Sequence, residues 1–172
     1  MGTEAIKIAE LDVKKLLDHL NKAYCDEWLA FYAYWYMGKV VSGMAYEDMG
    51  EFLNKTAMNE LEHAEELTKR MMELGGQPQS DFSSIVRDAN VKYPAIPARS
   101  DDYHGIIDTV LKSEAGAIEV YEALAKETFG KDHVTYQLVM HILSEETAHE
   151  ERFQSLKGTY ATEPAPSPVG AR

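Results

Sequence analysis

Cysteine is nearly absent from this chain: its 172 residues contain one, Cys25. No intrachain disulfide can form, and no thiolate cluster is available to hold a metal. Basic residues are scarce as well. Lys and Arg number 17 against 29 Asp and Glu, a formal net charge of −12. Nucleic-acid binding wants a basic patch, so the balance argues against it, whereas an acidic shell or lining suits cations. Residues 1–9 form a short arm whose one basic residue is Lys7, which is not the composition of a DNA-gripping tail. Long apolar runs are missing too. No stretch approaches the ~18 uninterrupted apolar residues of a membrane span, so no membrane association is expected and the cytoplasm is the expected compartment. What the chain does have is a hydrophobic content of 45%. Its length suffices for one domain with a sizeable core.

Four segments carry helical periodicity. From about Asp12 to Val41, a broad stripe runs through Val13, Leu16, Leu20, Ala23, Glu27, Ala30, Phe31 and Tyr34. Ser42-Gly43 breaks it. A second helix is expected from about Tyr46 to Leu74, with Leu53, Ala57, Glu60, Ala64, Leu67, Met71 and Leu74 inward, ended by Gly75-Gly76-Gln77-Pro78. Residues 77–100 are irregular, with a short helix over Phe82–Val86 and helix disfavoured at Tyr93-Pro94 and Ile96-Pro97. Such a length fits a crossover along a bundle rather than a tight hairpin. Ser100-Asp101-Asp102 is a cap for a third helix reaching about Thr128, whose stripe is Ile107, Val110, Leu111, Glu114, Ala117, Ile118, Tyr121 and Leu124. After a turn at Gly130, Asp132 caps a fourth helix to about Leu156, with Thr135, Leu138, Val139, Ile142, Glu146, His149, Phe153 and Leu156 inward. The expected fold class is all-α: a four-helix bundle over residues 1–158, with a long crossover between the second and third helices. Residues 159–172, rich in Pro, read as a disordered tail.

Four glutamates interrupt these apolar stripes. Glu60-Leu61-Glu62-His63 and Glu146-Thr147-Ala148-His149 repeat Glu-x-x-His, a spacing that puts carboxylate and imidazole on one helix face. Glu27 and Glu114 stand alone on the first and third helices. Each lies about fifteen residues before its turn, and its Glu-x-x-His partner about as far beyond. In antiparallel hairpins all four carboxylates then reach one depth. Four buried carboxylates would repel one another strongly unless protonated or metal-bound, so a metal is the simplest account. An oxygen-rich donor set with two imidazoles suits iron or manganese, with zinc a competitor. The expectation is two metals ~4 Å apart, bridged by Glu60 and Glu146, with Glu27 and His63 completing one and Glu114 and His149 the other. Tyr34, two turns beyond Glu27, is an accessory candidate near the site. Tyr24 and Tyr121 read as packing residues, Trp28 and Trp35 as facing a neighbour, and His19, His104, His133 and His141 as surface. Glu62, Glu65, Glu66, Glu145, Glu150 and Glu151 read as solvated-face residues.

At these residues the chain resembles the ferritin-like superfamily, in which two helices each give a Glu and two others each give Glu-x-x-His. Its similarity is to the bacterioferritin and Dps-like branch. Glu27, Glu60, His63, Glu114, Glu146 and His149 match all six ligands of the bacterioferritin type of di-iron centre, and Tyr34 matches the tyrosine beside it. Glu27-Trp28-Leu29-Ala30-Phe31-Tyr32 is similar to the thioferritins. The resemblance implies a homo-oligomeric cage that oxidises Fe(II) with hydrogen peroxide or dioxygen and stores ferric mineral. Three departures matter. Leu61 stands where bacterioferritins carry a haem-ligating Met, so haem is not expected. The thioferritin cysteine pair would fall near Val91 and Gly116. No fifth helix follows Leu156, which favours a dodecamer over a 24-subunit cage. A non-storing di-metal peroxidase or catalase, of rubrerythrin or manganese-catalase type, is the alternative.

Overall fold

A computed structural model describes residues 3–160. Among them all regular structure is helical. The elements are α1 Thr3–Lys7, α2 Val13–Val40, α3 Tyr46–Glu73, α4 Phe82–Asp88, α5 Tyr103–Thr128 and α6 His133–Tyr160. The expected short arm thus contains one helical turn, α1. The four long helices fall where periodicity puts them. α6 alone exceeds its expected end, running through Gly158 to Tyr160, whose ring packs 5.3 Å from that of Tyr103. The rest of the expected tail, 161–172, lies outside the described residues.

Each long helix starts or stops for a local reason. Asp12 caps α2 by accepting from Lys15 N, and Asp102 caps α5 by accepting from Gly105 N. Asp132 caps α6 by accepting from the amides of Val134 and Thr135. Gly43 turns the chain from α2 to α3 with φ +98°, a left-handed conformation that other L residues rarely adopt. A side chain there would also collide with the Tyr103 hydroxyl.

α2 packs along α3, and α5 along α6, giving two antiparallel hairpins. The crossover is tied along its length to the first hairpin. Gln79 N donates to Asn21 Oδ1 at 2.8 Å where it starts, and Ser42 N donates to Ser100 O at 3.0 Å where it ends. Midway, Asp26 accepts from Asn90 Nδ2 at 2.6 Å and Val91 N at 3.1 Å. Ile85 of α4 inserts into the core beside it.

The core divides into two apolar clusters. One, around Leu16, Leu20, Leu67, Tyr121 and Ile142, lies at the Gly130 end; the other, around Met37, Leu53, Ile107 and Phe153, lies at the Gly43 end. The polar layer described next lies between them.

Candidate metal centre

The expected depth match is realised. Glu27, Glu60, His63, Glu114, Glu146 and His149 converge at mid-bundle, each between 0% and 4% exposed. Their arrangement has approximate twofold symmetry. His63 Nδ1 lies 3.0 Å from Glu146 Oε1, 3.4 Å from Glu60 Oε2 and 3.5 Å from Glu27 Oε2. His149 Nδ1 lies 3.4 Å from Glu60 Oε1, 3.5 Å from Glu114 Oε2 and 4.0 Å from Glu146 Oε2. Glu60 and Glu146 therefore each turn one oxygen toward either imidazole. Glu27 serves only the His63 side, and Glu114 only the His149 side. The donor atoms form two overlapping sets, Glu27–Glu60–His63–Glu146 and Glu60–Glu114–Glu146–His149, within each of which all atoms lie within 4.8 Å of one another.

These contacts are close but poorly directed as hydrogen bonds. Glu60 Oε1, His63 Nδ1, Glu114 Oε2, Glu146 Oε1 and His149 Nδ1 are buried with no hydrogen-bond partner. Buried polar atoms are ordinarily paired. Five orphans facing one point, all oxygen or imidazole nitrogen, are the donor set of a pair of divalent cations. The residues present fit such a pair.

The electrostatics agree. Burial, reinforced by the charge of Glu60 and only partly offset by His63, raises the Glu27 carboxyl to about 8. Burial, then the charges of Glu60 and Glu114, raises Glu146 well above the carboxylate range. Glu60 goes the other way: burial opposes its ionisation, but His149 and His63 together outweigh it and hold it at about 2. Burial likewise opposes the charged imidazoles, yet the surrounding carboxylates raise His63 strongly and His149 to about 9. Protons thus compensate the cluster where cations would otherwise do so.

Each lone glutamate is held by a tyrosine from the opposite hairpin. Tyr34 donates to Glu114 Oε1 at 2.6 Å, in accord with its expected place near the site. Tyr121 donates to Glu27 Oε1, so its reading as a packing residue is corrected. The signal was available: Tyr34 follows Glu27 by seven positions, and Tyr121 follows Glu114 by seven. Glu145 also leaves its expected class, since its Oε2 lies 2.8 Å from His63 Nε2. A cavity of about 20 Å³ opens beside the carboxylates, lined on its outer side by Ala30, Val91, Ser113 and Ala117. That is room for about one water-sized molecule.

Other candidates stay away from the centre. Trp28 packs edge-on against Tyr24 and Phe31, and Trp35 stacks on Tyr32 at the surface. His104, His133 and His141 are exposed, and half-buried His19 pairs with Glu127 at 2.6 Å. A Cβ built on Gly116 meets Val91 Cγ1 at 3.3 Å, so the two positions expected for a thiol pair are neighbours here without thiols.

Comparison with known proteins gives a consistent set of likenesses. The family model described as a ferritin-like domain matches residues 17–161. A DNA protection during starvation protein of Pyrococcus furiosus is 32% identical over 146 residues, covering 85% of this chain and 78% of that protein. The dodecameric thioferritin, a bacterioferritin-related protein of Bacteroides fragilis, superposes with a TM-score of 0.88 at 36% identity, covering 93% of this chain and 95% of that one. The Desulfovibrio desulfuricans bacterioferritin, whose structure shows a di-iron site, gives a TM-score of 0.73 at 25% identity, covering 87% and 81%.

Proposed function

The chain belongs to the ferritin-like family, and from that premise we propose that it is an iron-storage and detoxification protein that oxidises Fe(II) at an intrasubunit di-iron centre. The observation that carries this reading is the way Glu60 and Glu146 each offer one oxygen to either imidazole, among five unpartnered buried donor atoms. Glu27 and His63 complete one half, Glu114 and His149 the other. Fe(II) is the substrate. Two Fe(II) lose one electron each, and hydrogen peroxide accepts both, taking up two protons and leaving as two waters; dioxygen is the other candidate oxidant.

The protein's own residues have definable tasks. The carboxylates and imidazoles bind the incoming cations and give up the protons they hold in their absence. Tyr34 and Tyr121 orient Glu114 and Glu27 through their hydroxyl protons. The apolar clusters above and below exclude bulk water. Leu61 offers no donor for haem iron, and the net charge of −12 gives no reason to assign DNA binding. Among the described residues no helix is long and apolar enough to cross a membrane. We place residues 1–158 in one domain, the assembly in a dodecameric cage, and the protein in the cytoplasm.

The test joins kinetics to assembly. Glu60→Ala and His149→Ala are expected to abolish rapid Fe(II) oxidation while leaving helix content and particle size unchanged. Wild-type rates in both variants would overturn the site. Light scattering on iron-loaded protein is expected to show a large particle carrying many ferric ions per subunit. A monomer or dimer holding about two irons per chain would remove storage and favour the peroxidase or catalase alternative.

A further inference from the structure

The two halves of the centre correspond residue for residue. Glu27 matches Glu114, Tyr34 matches Tyr121, Glu60 matches Glu146 and His63 matches His149. The correspondence fails one position before each shared glutamate, where Glu145 precedes Glu146 but Asn59 precedes Glu60. Glu145 Oε2 lies 2.8 Å from His63 Nε2. Its other close approach, to His141 Nε2 at 3.9 Å, is too long for a hydrogen bond. On the other side, no hydrogen bond holds the ring of His149 among the described residues, and its Nδ1 is unpartnered.

The consequence follows from imidazole chemistry. A carboxylate oxygen accepts across this contact, so the His63 nitrogen facing Glu145, Nε2, carries a proton. Nδ1, the buried atom that faces Glu27, Glu60 and Glu146, is then the nitrogen left to give up its proton and offer a lone pair to a cation. The bond also fixes the ring plane and makes Nδ1 more basic. His149 has neither aid, because no hydrogen bond among the described residues holds its ring.

We propose that Glu145 is a positioning residue that makes the His63 half of the centre the higher-affinity half, so that divalent cations fill the two halves in order, the His63 side first. This rests on the reading of the six residues as a di-metal centre. It extends that reading by making the two halves unequal and naming the residue responsible. A solvent-facing ion pair without this role would leave the filling order unchanged when removed.

The test is a titration of the assembled, metal-free protein with Co(II), without oxidant, read by ligand-field absorption and by calorimetry. Wild type is expected to bind two Co(II) per chain in two events of unequal affinity. His63→Ala should delete the tighter event and His149→Ala the weaker one. Glu145→Ala should weaken the tighter event by about 10–100-fold, with the weaker event unmoved. Glu145→Gln, which matches Glu in size and keeps an uncharged acceptor, should fall between the two and carries the test if the Ala variant does not assemble. Glu151→Ala, an exposed change on the same helix, should leave both events unchanged. Two equal events in wild type, loss of the tighter event in His149→Ala, or an unaltered tighter event in both Glu145 variants would overturn the inference while leaving the centre in place. Fewer than two Co(II) per chain in wild type would overturn the centre and the inference together.

Discussion

Glu27, Glu146, His63 and His149 hold protons when no cation is present, and this sets how binding responds to pH. Burial raises Glu27 to about 8, and carboxylates raise His149 to about 9 against the opposing effect of burial, so both hold protons at neutral pH. A cation must displace those protons, so its affinity rises with pH through this range, by up to about tenfold per pH unit for each proton released. Competition titrations with Zn(II) at about pH 6 and about pH 8 are expected to show tighter binding at the higher pH, and a flat profile would contradict the proton-sharing picture. The tyrosines give a second expectation. Tyr121→Phe leaves Glu27 buried without its donor, and Tyr34→Phe does the same to Glu114. Each should cost about 1–3 kcal/mol in denaturant unfolding of the metal-free protein, by the usual penalty for a buried group left unpaired. At this scale the six inward donors were legible, because a Glu on an apolar stripe breaks a pattern. Tyr121 was not, because a tyrosine on an apolar stripe breaks nothing and only its echo of Glu27…Tyr34 marks it. Glu145 lies among the acidic residues of a wet face, and only the fold brings it to His63.

Helix limits were readable within a residue or so where caps and glycines are strong, as at Asp12, Gly43, Gly75, Asp102 and Asp132. The fourth helix outran its expected end at about Leu156: Gly158 lies inside α6, and glycine alone does not end a helix that still finds packing beyond it. A further connection between elements was invisible in the sequence. Arg70, near the end of α3, is 3% exposed, and its Nη2 donates to both oxygens of Asp132, at 3.0 and 2.8 Å. Its Nε donates to Thr135 Oγ1 at 2.8 Å. In sequence Arg70 follows Lys69 in a polar run and looks solvated. In the fold it clamps the end of the first hairpin to the turn of the second. Arg70→Met would leave the buried Asp132 carboxylate without its counter-charge, though still accepting from Val134 and Thr135, a loss of roughly 3–5 kcal/mol by denaturant unfolding. The pH dependence has a definite sign. Burial alone would raise Asp132, but Thr135 and Arg70 outweigh it and hold the carboxyl below its usual range. A depressed acid gives stability that is full above its unfolded pKa and lost as pH falls through the folded one. Arg70→Met is therefore expected to flatten the acid limb of the stability–pH curve as well as lower its plateau.

At the scale of the whole molecule, the equal depth of four glutamates in two hairpins made the bundle legible, and the length of residues 77–100 made the crossover so. Subunit number has no such signature, because it resides in surface contacts between copies rather than in any periodic pattern. The bundle has a built-in tension: two apolar clusters are separated by a layer of buried carboxylates and imidazoles that favours unfolding wherever it is not neutralised. Cations that bind this layer only in the folded state must stabilise the entire bundle. A site filled at about 100 times its dissociation constant contributes about 2.7 kcal/mol. For a domain of this size, that is on the order of 5–10 °C in the melting temperature. Calorimetry of metal-free protein with and without Zn(II) is expected to show a rise of that order, reversed by a chelator. Glu60→Ala removes an oxygen from each half of the centre, so it should melt at the same temperature with or without the cation. A rise of equal size in that variant would place the stabilising cation elsewhere, whereas its absence ties the stability of both hairpins to the layer between them.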